Sequence, residues 1–441
     1  MKTTTCRPAP LPVAVLGAGP IGLVAAAHLV QRGFQPLILE KATTIAASVR
    51  QWGHVKMFSP WRFNIDPVAR EMLQKQGWKA PDEEALPTGN QLVDQFLEPL
   101  ARIAEIRAGL QLNTVVTAVS RSRHNKLRDG RREKMPFVIH GLHKGSPQRW
   151  EARAVLDATG TWGNPTPMGA DGLPALGEDE NSDRIFYGIP DVKSVHRERF
   201  RGRRVAVVGA GHSAINTLLD LADLARLDPA TRIHWVLRRA RVEDTYGGQG
   251  NDALPGRGRL GVLLRQLVEE QRIQIHTPFF IDRLKSIGQG KDRAIVLVDG
   301  SRPEEDHPVC DEVVVATGAR PDLRMLEEIR LDLDPTVEAP RALAPLIDPN
   351  VHSCGTVRPH GEAELRQPER DFYVVGVKSY GRAPTFLLTT GYEQVRSVVA
   401  HLAGDTNAAQ RVELALPETG VCGLPGAAKP VAVGTQGQAT E

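Results

Sequence analysis

The chain has 441 residues, 41% of them hydrophobic and 24% charged, with 55 Lys and Arg against 52 Asp and Glu. This length accommodates two domains with separate cores, and the near-neutral balance of +3 argues against a nucleic-acid binder, which concentrates positive charge on one face. The four cysteines, Cys6, Cys310, Cys354 and Cys422, show neither CxxC nor CxxxxC spacing, which argues against a disulfide scaffold, a zinc knuckle or a vicinal redox pair. No apolar run reaches the ~20 residues of a membrane helix. Lys2 and Arg7 precede an apolar stretch that belongs to a nucleotide motif, so no signal peptide is expected, and the expectation is a cytoplasmic α/β protein.

The first strand is expected at Pro12–Leu16, followed directly by Gly17-Ala-Gly19-Pro20-Ile21-Gly22. An Ala-rich helix over Leu23–Arg32 and a strand Pro36–Leu39 ending at Glu40 complete the unit. This is the order of a dinucleotide fold. Gly17 permits the tight turn, Gly19 lets backbone approach a pyrophosphate, Gly22 allows close helix–strand packing, and Glu40 meets a ribose hydroxyl. Further strands are expected at Leu112–Val119, Pro136–His140 and Arg153–Ala158, the last ending in Thr159-Gly160. The basic run Arg121–Lys134, with its Asp129-Gly130 turn signal, is expected to be a solvated hairpin tip.

A second unit starts with the strand Arg203–Val208 and the turn Gly209-Ala-Gly211-His212-Ser213-Ala214. A helix over Ile215–Ala225 and a strand Arg232–Leu237 follow, and this strand ends in Arg238-Arg239 where the first unit has Glu40. Paired guanidinium groups suit a 2′-phosphate, which a carboxylate would repel, so this unit is expected to prefer NADPH. A further strand, Glu312–Ala316, ends in Thr317-Gly318.

With these residues in view, the chain from about Val13 to His401 resembles the flavoproteins with two dinucleotide-binding domains, among them disulfide reductases, thioredoxin reductases and class B flavin-containing monooxygenases. The resemblance implies FAD on the first glycine turn and NADPH on the second. The expected fold is two Rossmann-like α/β domains, with a discontinuous FAD domain (1–169 and 345–419), an inserted NADPH domain (181–332) and a flexible tail (420–441). The FAD site implied comprises Gly17, Gly19, Pro20, Ile21, Gly22, Glu40, Lys41, Met57, Ser59, Val116, Thr159, Gly160, Gly376 and Thr385. The NADPH site comprises Gly209, Gly211, His212, Ser213, Ala214, Arg238, Arg239, Thr317 and Gly318. Phe372-Tyr-Val-Val-Gly376 resembles the last flavin strand, and the helix from Thr389 would point its N-terminus at the flavin. The resemblance has departures. The family's Gly-Asp at the end of that strand is here Gly376-Val377, so the ribityl contact is expected from Ser379 or Thr385. The monooxygenase fingerprint is stretched over Phe186, Gly188, His196 and Phe200.

Positions 41–60 and 203–309 contain no cysteine, which closes the usual route for electrons to a disulfide. The leading expectation is a flavin monooxygenase that oxygenates a soft heteroatom of a small molecule, with molecular oxygen as co-substrate. Two alternatives stand beside it: a reductase serving a diffusible acceptor or a remote thiol pair, and a slow flavin redox sensor. The segments His54–Trp61 and Tyr246–Asp252 are expected to build the pocket, with Tyr246, Asp252, Cys354 and Cys422 as candidate catalytic residues. The chain is also similar to bacterial flavoproteins encoded near arsenic-resistance genes, which implies thiol chemistry toward a soft substrate. No metal cluster and no nucleic-acid or membrane partner is expected; association into a homodimer stays open.

Overall fold

Two five-stranded parallel sheets organise the chain. The computed structural model describes residues 10–252, 254–302, 307–351, 357–383 and 386–414. The expected tail from 420 to 441 lies outside these residues, as do Cys354, Thr385 and Cys422.

The first sheet has the order β16-β7-β1-β2-β3. Its strands are β1 (Val13–Leu16), β2 (Pro36–Leu39), β3 (Leu110–Gln111), β7 (Ala154–Asp157) and β16 (Phe372–Val374). β1 is central, with Val13 opposite Pro36 on one side and Ala154 on the other. Both β1 and β7 are buried along their whole length, the pattern of parallel strands covered on both faces. The second sheet runs β11-β10-β9-β15-β8. It comprises β8 (Ile185–Tyr187), β9 (Arg204–Val208), β10 (Arg232–Val236), β11 (Gln274–His276) and β15 (Glu312–Val315). Two small antiparallel sheets complete the strands: β4 (Thr114–Arg121), β5 (Phe137–His143) and β6 (Ser146–Ala152), and β12 (Arg283–Ile287), β13 (Ala294–Val298) and β14 (Val309–Cys310).

The four longest helices are α1 (Pro20–Gln31), α2 (His212–Leu227), α3 (Pro255–Glu269) and α4 (Leu388–Leu402). α1 starts three residues before the expected Leu23, because Pro20 takes the N1 position, where its missing N–H costs nothing. Residues Ile21 to Leu29 of α1 are all buried, against the sheet and α4. Burial of Leu23, Val24 and Leu29 contributes about 1.5–3 kcal/mol each. β4 begins two residues later than expected, because Asn113 takes a left-handed conformation (φ +54°) that interrupts an extended run.

The basic run departs from the expected solvated tip at two residues, while Arg123, Lys126, Arg128, Arg131 and Lys134 are exposed as expected. Arg121 and Arg132 are buried and both bind Glu369: Arg121 Nε donates at 2.8 Å to Oε1, and Arg132 Nη2 donates at 2.7 Å to Oε2. Arg121 also stacks 3.6 Å above the Phe137 ring. The base of the loop is folded in because these two guanidinium groups share a carboxylate that lies 248 residues from Arg121 in sequence. Among the described residues, no helix is long and apolar enough to cross a membrane, and no group of His, Cys, Asp and Glu could hold a metal ion.

Candidate functional site: two nucleotide crevices and the crossovers between them

At the carboxyl end of β1 the first glycine turn is shaped by close contacts. Gly17 has φ +96°, and a Cβ there would lie 2.9 Å from the Ala158 carbonyl oxygen. A Cβ on Gly22 would overlap the Gly17 carbonyl, so this glycine lets α1 lie against β1. Gly19 is different: a Cβ on it would meet nothing within 4 Å. Its side therefore faces open space. α1 has no side-chain cap at its N-terminus, and neither do α2 and α4. By contrast, Asp66 and Thr88 cap the helices Pro67–Gln74 and Gly89–Leu92. The open amides at α1 and α2 follow the glycine turns, where a dinucleotide's phosphates would bind.

Glu40 is buried at the end of β2, and its two oxygens accept hydrogen bonds from Ala18 N (2.7 Å) and Ala42 N (2.8 Å). It thus couples the strand end to the glycine turn. Lys41 is exposed, and its Nζ lies 3.1 Å from where a Cβ on Gly163 would stand. Ile21 packs under Gly376 and under Gly391, which brings the N-termini of α1 and α4 to one place. Gly376 (φ +73°) donates its N–H to Gln394 Oε1 at 2.8 Å. Met57 is half-buried and its N–H bonds to Pro87 O, while Val116 packs half-buried against the core beneath β4–β5.

Two expected contacts are redirected inward. Ser59 is buried and donates to Asn64 Oδ1 at 3.0 Å, closing its own loop. Ser379 is fully buried, donates to Gly376 O at 2.7 Å and accepts from Gln394 Nε2 at 2.9 Å. The expectation that Ser379 supplies a ribityl contact is therefore corrected: its hydroxyl is satisfied inside the turn. What stands at this edge instead is Lys378, whose Nζ donates to Asp157 Oδ2 (2.7 Å) and Thr159 Oγ1 (3.0 Å). Thr159 in turn donates its hydroxyl and its N–H to Asp157 Oδ1.

The second crevice repeats the design with changes. Gly209 (φ +129°) lies against the Ala316 carbonyl, while a Cβ on Gly211 would meet nothing within 4 Å. Ala214, in the place of the third glycine, is fully buried. His212 and Ser213 open α2, and the Thr217 hydroxyl donates to Ser213 O. Burial, with the nearby Arg257 charge, lowers the His212 pKa to about 4, so its ring is neutral near pH 7. Arg238 donates to Ala170 O at 3.1 Å and Arg239 to Asp244 O at 2.8 Å. Each is anchored on a carbonyl, which leaves its positive charge uncompensated by that bond.

The two crossovers between the sheets run side by side. Thr166 N bonds to Gly318 O and Arg320 N to Asn164 O, both at 3.0 Å, and Thr317 Oγ1 donates to Thr166 O at 2.5 Å. Thr159-Gly160 and Thr317-Gly318 thus begin two strands of one linker between the sheets.

The two segments expected to build a pocket are brought together beside the second glycine turn. The Phe58 ring lies 5.0 Å from His212, and the Arg257 guanidinium lies 6.0 Å from Phe58. Asp252 is buried in a bidentate pair with Arg257 at 2.7 Å and also accepts Leu254 N. Burial pushes its pKa upward, but the Arg257 hydrogen bonds and charge outweigh this and hold it below the usual range. Tyr246 is buried in the core between α2 and α3. His54, at the far end of the first segment, has its Nε2 buried without a hydrogen-bond partner. Phe186 and His196 of the stretched fingerprint meet edge-on at 4.9 Å. Cys310, the described cysteine, is fully buried in β14, donates to Ile295 O, and has a thiol pKa pushed up to about 12 by burial.

Comparison with known proteins gives this arrangement its family. Residues 14–350 match the model of the pyridine nucleotide-disulphide oxidoreductases. The chain belongs to that family. It is an oxidoreductase by class, and its cofactors are FAD and NADPH. Among curated relatives, a probable indole-3-pyruvate monooxygenase of Arabidopsis thaliana is 26% identical over 251 residues, covering 53% of this chain and 50% of that one. The chain therefore spans half the length of this relative. Among solved structures, the bacillithiol disulfide reductase of Bacillus cereus superposes with a TM-score of 0.62 at 19% identity, covering 90% of this chain and 99% of that one. The FAD-bound cadaverine monooxygenase of Erwinia amylovora gives 0.61 at 13% identity, covering 98% and 100%. At these identities the two structural likenesses concern the fold alone.

Proposed function

We propose that the chain is an NADPH-dependent flavin monooxygenase that oxygenates a soft heteroatom, sulfur, nitrogen or arsenic, of a small molecule. The observation that carries this reading is the lack of a thiol acceptor where a disulfide reductase of this family would need one. Positions 41–60 and 203–309 hold no cysteine, and Cys310 is sealed in β14 with its proton held. The sequence likeness to a probable plant monooxygenase supports the same reading.

Bound FAD supplies hydride acceptance from the nicotinamide and the subsequent reaction with dioxygen. The chain's own groups bind, orient and exclude water. Glu40 sits at the ribose end of the first crevice, the open face of Gly19 and the free amides of α1 take the pyrophosphate, and Arg238 and Arg239 take the 2′-phosphate of NADPH. Met57 and Phe58, both half-buried, supply apolar surface beside the second glycine turn, which favours oxygenation over release of peroxide by limiting water. Overall, substrate, dioxygen, NADPH and a proton give oxygenated substrate, water and NADP⁺.

The test is to measure NADPH consumption and peroxide release under isotopically labelled dioxygen, with an organic sulfide, an amine and a trivalent arsenical in turn. The expected result is incorporation of labelled oxygen in step with NADPH for one of these. NADPH oxidation that always releases stoichiometric peroxide, but transfers electrons efficiently to a diffusible acceptor, would overturn the proposal in favour of a reductase.

A further inference from the structure

The exposed tip between β4 and β5 combines features that ordinary solvated charge does not need. Arg123, Lys126, Arg128, Arg131 and Lys134 are all exposed, and among the described residues none of the five has a carboxylate within ion-pair distance. Surface arginines elsewhere are paired: Arg324 with Asp322, Arg341 with Asp332 and Arg382 with Glu338. On the tip itself Asp129 is taken by Arg330 at 2.6 Å, and Glu328 accepts the Lys126 N–H at 2.7 Å. Glu133 and Glu327 are left to oppose the five cations. At the apex, between Lys126 and Arg128, Leu127 is 89% exposed, more than any other large hydrophobic side chain among the described residues.

The tip is held in shape from below. Arg132 Nη1 donates to His124 O and Asn125 O (3.1 and 2.7 Å), its Nη2 donates to Glu328 O (2.7 Å), and Arg330 Nη2 donates to Lys126 O (2.7 Å). His124 Nε2 lies 2.7 Å from Gly130 O across the loop. Leu127 is thus presented on a braced turn, and little ordering cost falls on a binding event. The location is equally defined. β4 starts at the cofactor edge, where Thr114 N bonds to Glu40 O, and runs eight residues to Arg121. Arg121 binds Glu369 and Arg370 O just before β16 begins at Phe372. The tip therefore lies about 25 Å along the sheet, at the amino ends of parallel strands whose carboxyl ends form the cofactor crevice.

These features discriminate between partners. A redox protein exchanging electrons with the flavin would dock beside the crevice and not at the far end of the sheet. A stable protein–protein interface takes about 800 Å² from each side, which a single narrow tip does not supply. A nucleic-acid backbone would meet the cations but does not call for Leu127. An anionic bilayer offers both parts at once, negative charge for the cations and hydrocarbon directly beneath it for the leucine. We propose that the tip 123–134 is a peripheral docking site for an anionic lipid surface, with Leu127 entering the headgroup–acyl boundary and the FAD crevice facing away from the membrane. The contact is reversible, because one apolar side chain and a few cations do not anchor a chain permanently. It needs no apolar run of membrane-spanning length, the feature whose absence underlies the expectation of no membrane partner. It is also independent of what the reduced flavin does next.

The test is co-sedimentation of the full-length, FAD-loaded chain with vesicles of phosphatidylcholine alone and of phosphatidylcholine mixed with phosphatidylglycerol, at low and at physiological ionic strength. Binding is expected to the mixed vesicles only, and to weaken at the higher ionic strength. The triple variant Arg128→Gln/Arg131→Gln/Lys134→Gln changes solvent-facing side chains only and is expected to unfold at the parent's temperature. Its partition coefficient should fall about a hundredfold, roughly fivefold for each cation removed. Leu127→Ser is expected to weaken binding several-fold. Leu127→Trp is expected to strengthen it, with the new indole's emission shifting to the blue on mixed vesicles alone. No binding to mixed vesicles, or equal binding by parent and triple variant, would overturn the proposal. Charge-dependent binding that ignores both Leu127 substitutions would overturn it too. Tighter binding to a duplex oligonucleotide, lost in the same triple variant, would overturn it in favour of nucleic acid. Flavin reduction by NADPH is expected at the parent rate in every variant; a fall in that rate would put the tip at the crevice and overturn the orientation.

Discussion

Three glycines of the first turn have three different duties, and substitution separates them. Gly22 without its bareness would drive a methyl group into the Gly17 carbonyl, so Gly22→Ala forces α1 away from β1. Gly19→Ala meets no protein atom, and its φ of −80° suits alanine. The Gly19→Ala chain is therefore expected to fold with an unfolding temperature close to the parent's yet to lose FAD affinity, because the methyl group occupies ligand space. Gly22→Ala is expected to lower the unfolding temperature of the flavin-free chain as well. Thermal unfolding with and without FAD checks this; equal behaviour of the two variants would show that Gly19 does not face the cofactor. Glu40 and Asp157 illustrate another residue-level point. Both end strands at the same sheet edge, but Glu40 is recognisable from its place after a glycine unit, whereas Asp157 matters because of Lys378, 221 residues away.

At the scale of elements, the proposed 2′-phosphate site lies at the end of β10. Arg238 and Arg239 have different partners, one reaching Ala170 O and the other Asp244 O in the following loop. Only NADPH has a 2′-phosphate for these cations. Replacing both with alanine is expected to raise the KM for NADPH about tenfold or more and to leave that for NADH nearly unchanged. Steady-state kinetics with both cofactors measures this, and parallel changes would remove the 2′-phosphate assignment. The basic loop between β4 and β5 shows how an element can mislead when read locally. Its tip is solvated, as its charges suggest in sequence, yet Glu369 lies between Arg121 and Arg132 and draws these two into the fold. Burial pushes the Glu369 pKa upward, but the two guanidinium groups prevail and hold it below its usual range.

For the whole molecule, the buried neutral histidines make stability depend on pH. His234 is held near a pKa of about 4 by burial and by the neighbouring His276 ring, which its Nδ1 meets at 3.0 Å. Unfolded, it would titrate at 6.5. Above 6.5 both states are neutral and the group contributes nothing. Between 6.5 and about 4 the unfolded chain binds a proton that the folded chain refuses, so stability falls as pH falls; below about 4 the loss is complete. His212 acts in the same direction. Burial raises the pKa of Glu178 and Glu312, which acts oppositely. The comparison that isolates the histidine is the unfolding temperature of the parent and of His234→Gln from about pH 7 to about pH 4. The variant is expected to lose less stability over that range, and parallel curves would contradict the assignment.

What the sequence alone determined is local. Each strand–glycine turn–helix–strand unit is a contiguous segment whose backbone geometry demands particular residues at particular spacings. Both glycine-turn units, and the Glu40 and Arg238-Arg239 strand ends, are therefore legible in the order of residues. The ends of elements moved by a few residues, where Pro20 and Asn113 shift a boundary. Tertiary structure decided whatever depends on groups distant in the chain. It turned Ser59 and Ser379 inward, buried Arg121 and Arg132 on Glu369, and set Phe58 on His212. It also placed Lys378 between Asp157 and Thr159. The physical reason is that burying a polar or charged group is tolerable only with a partner, and that partner is supplied by the fold rather than by the neighbouring sequence.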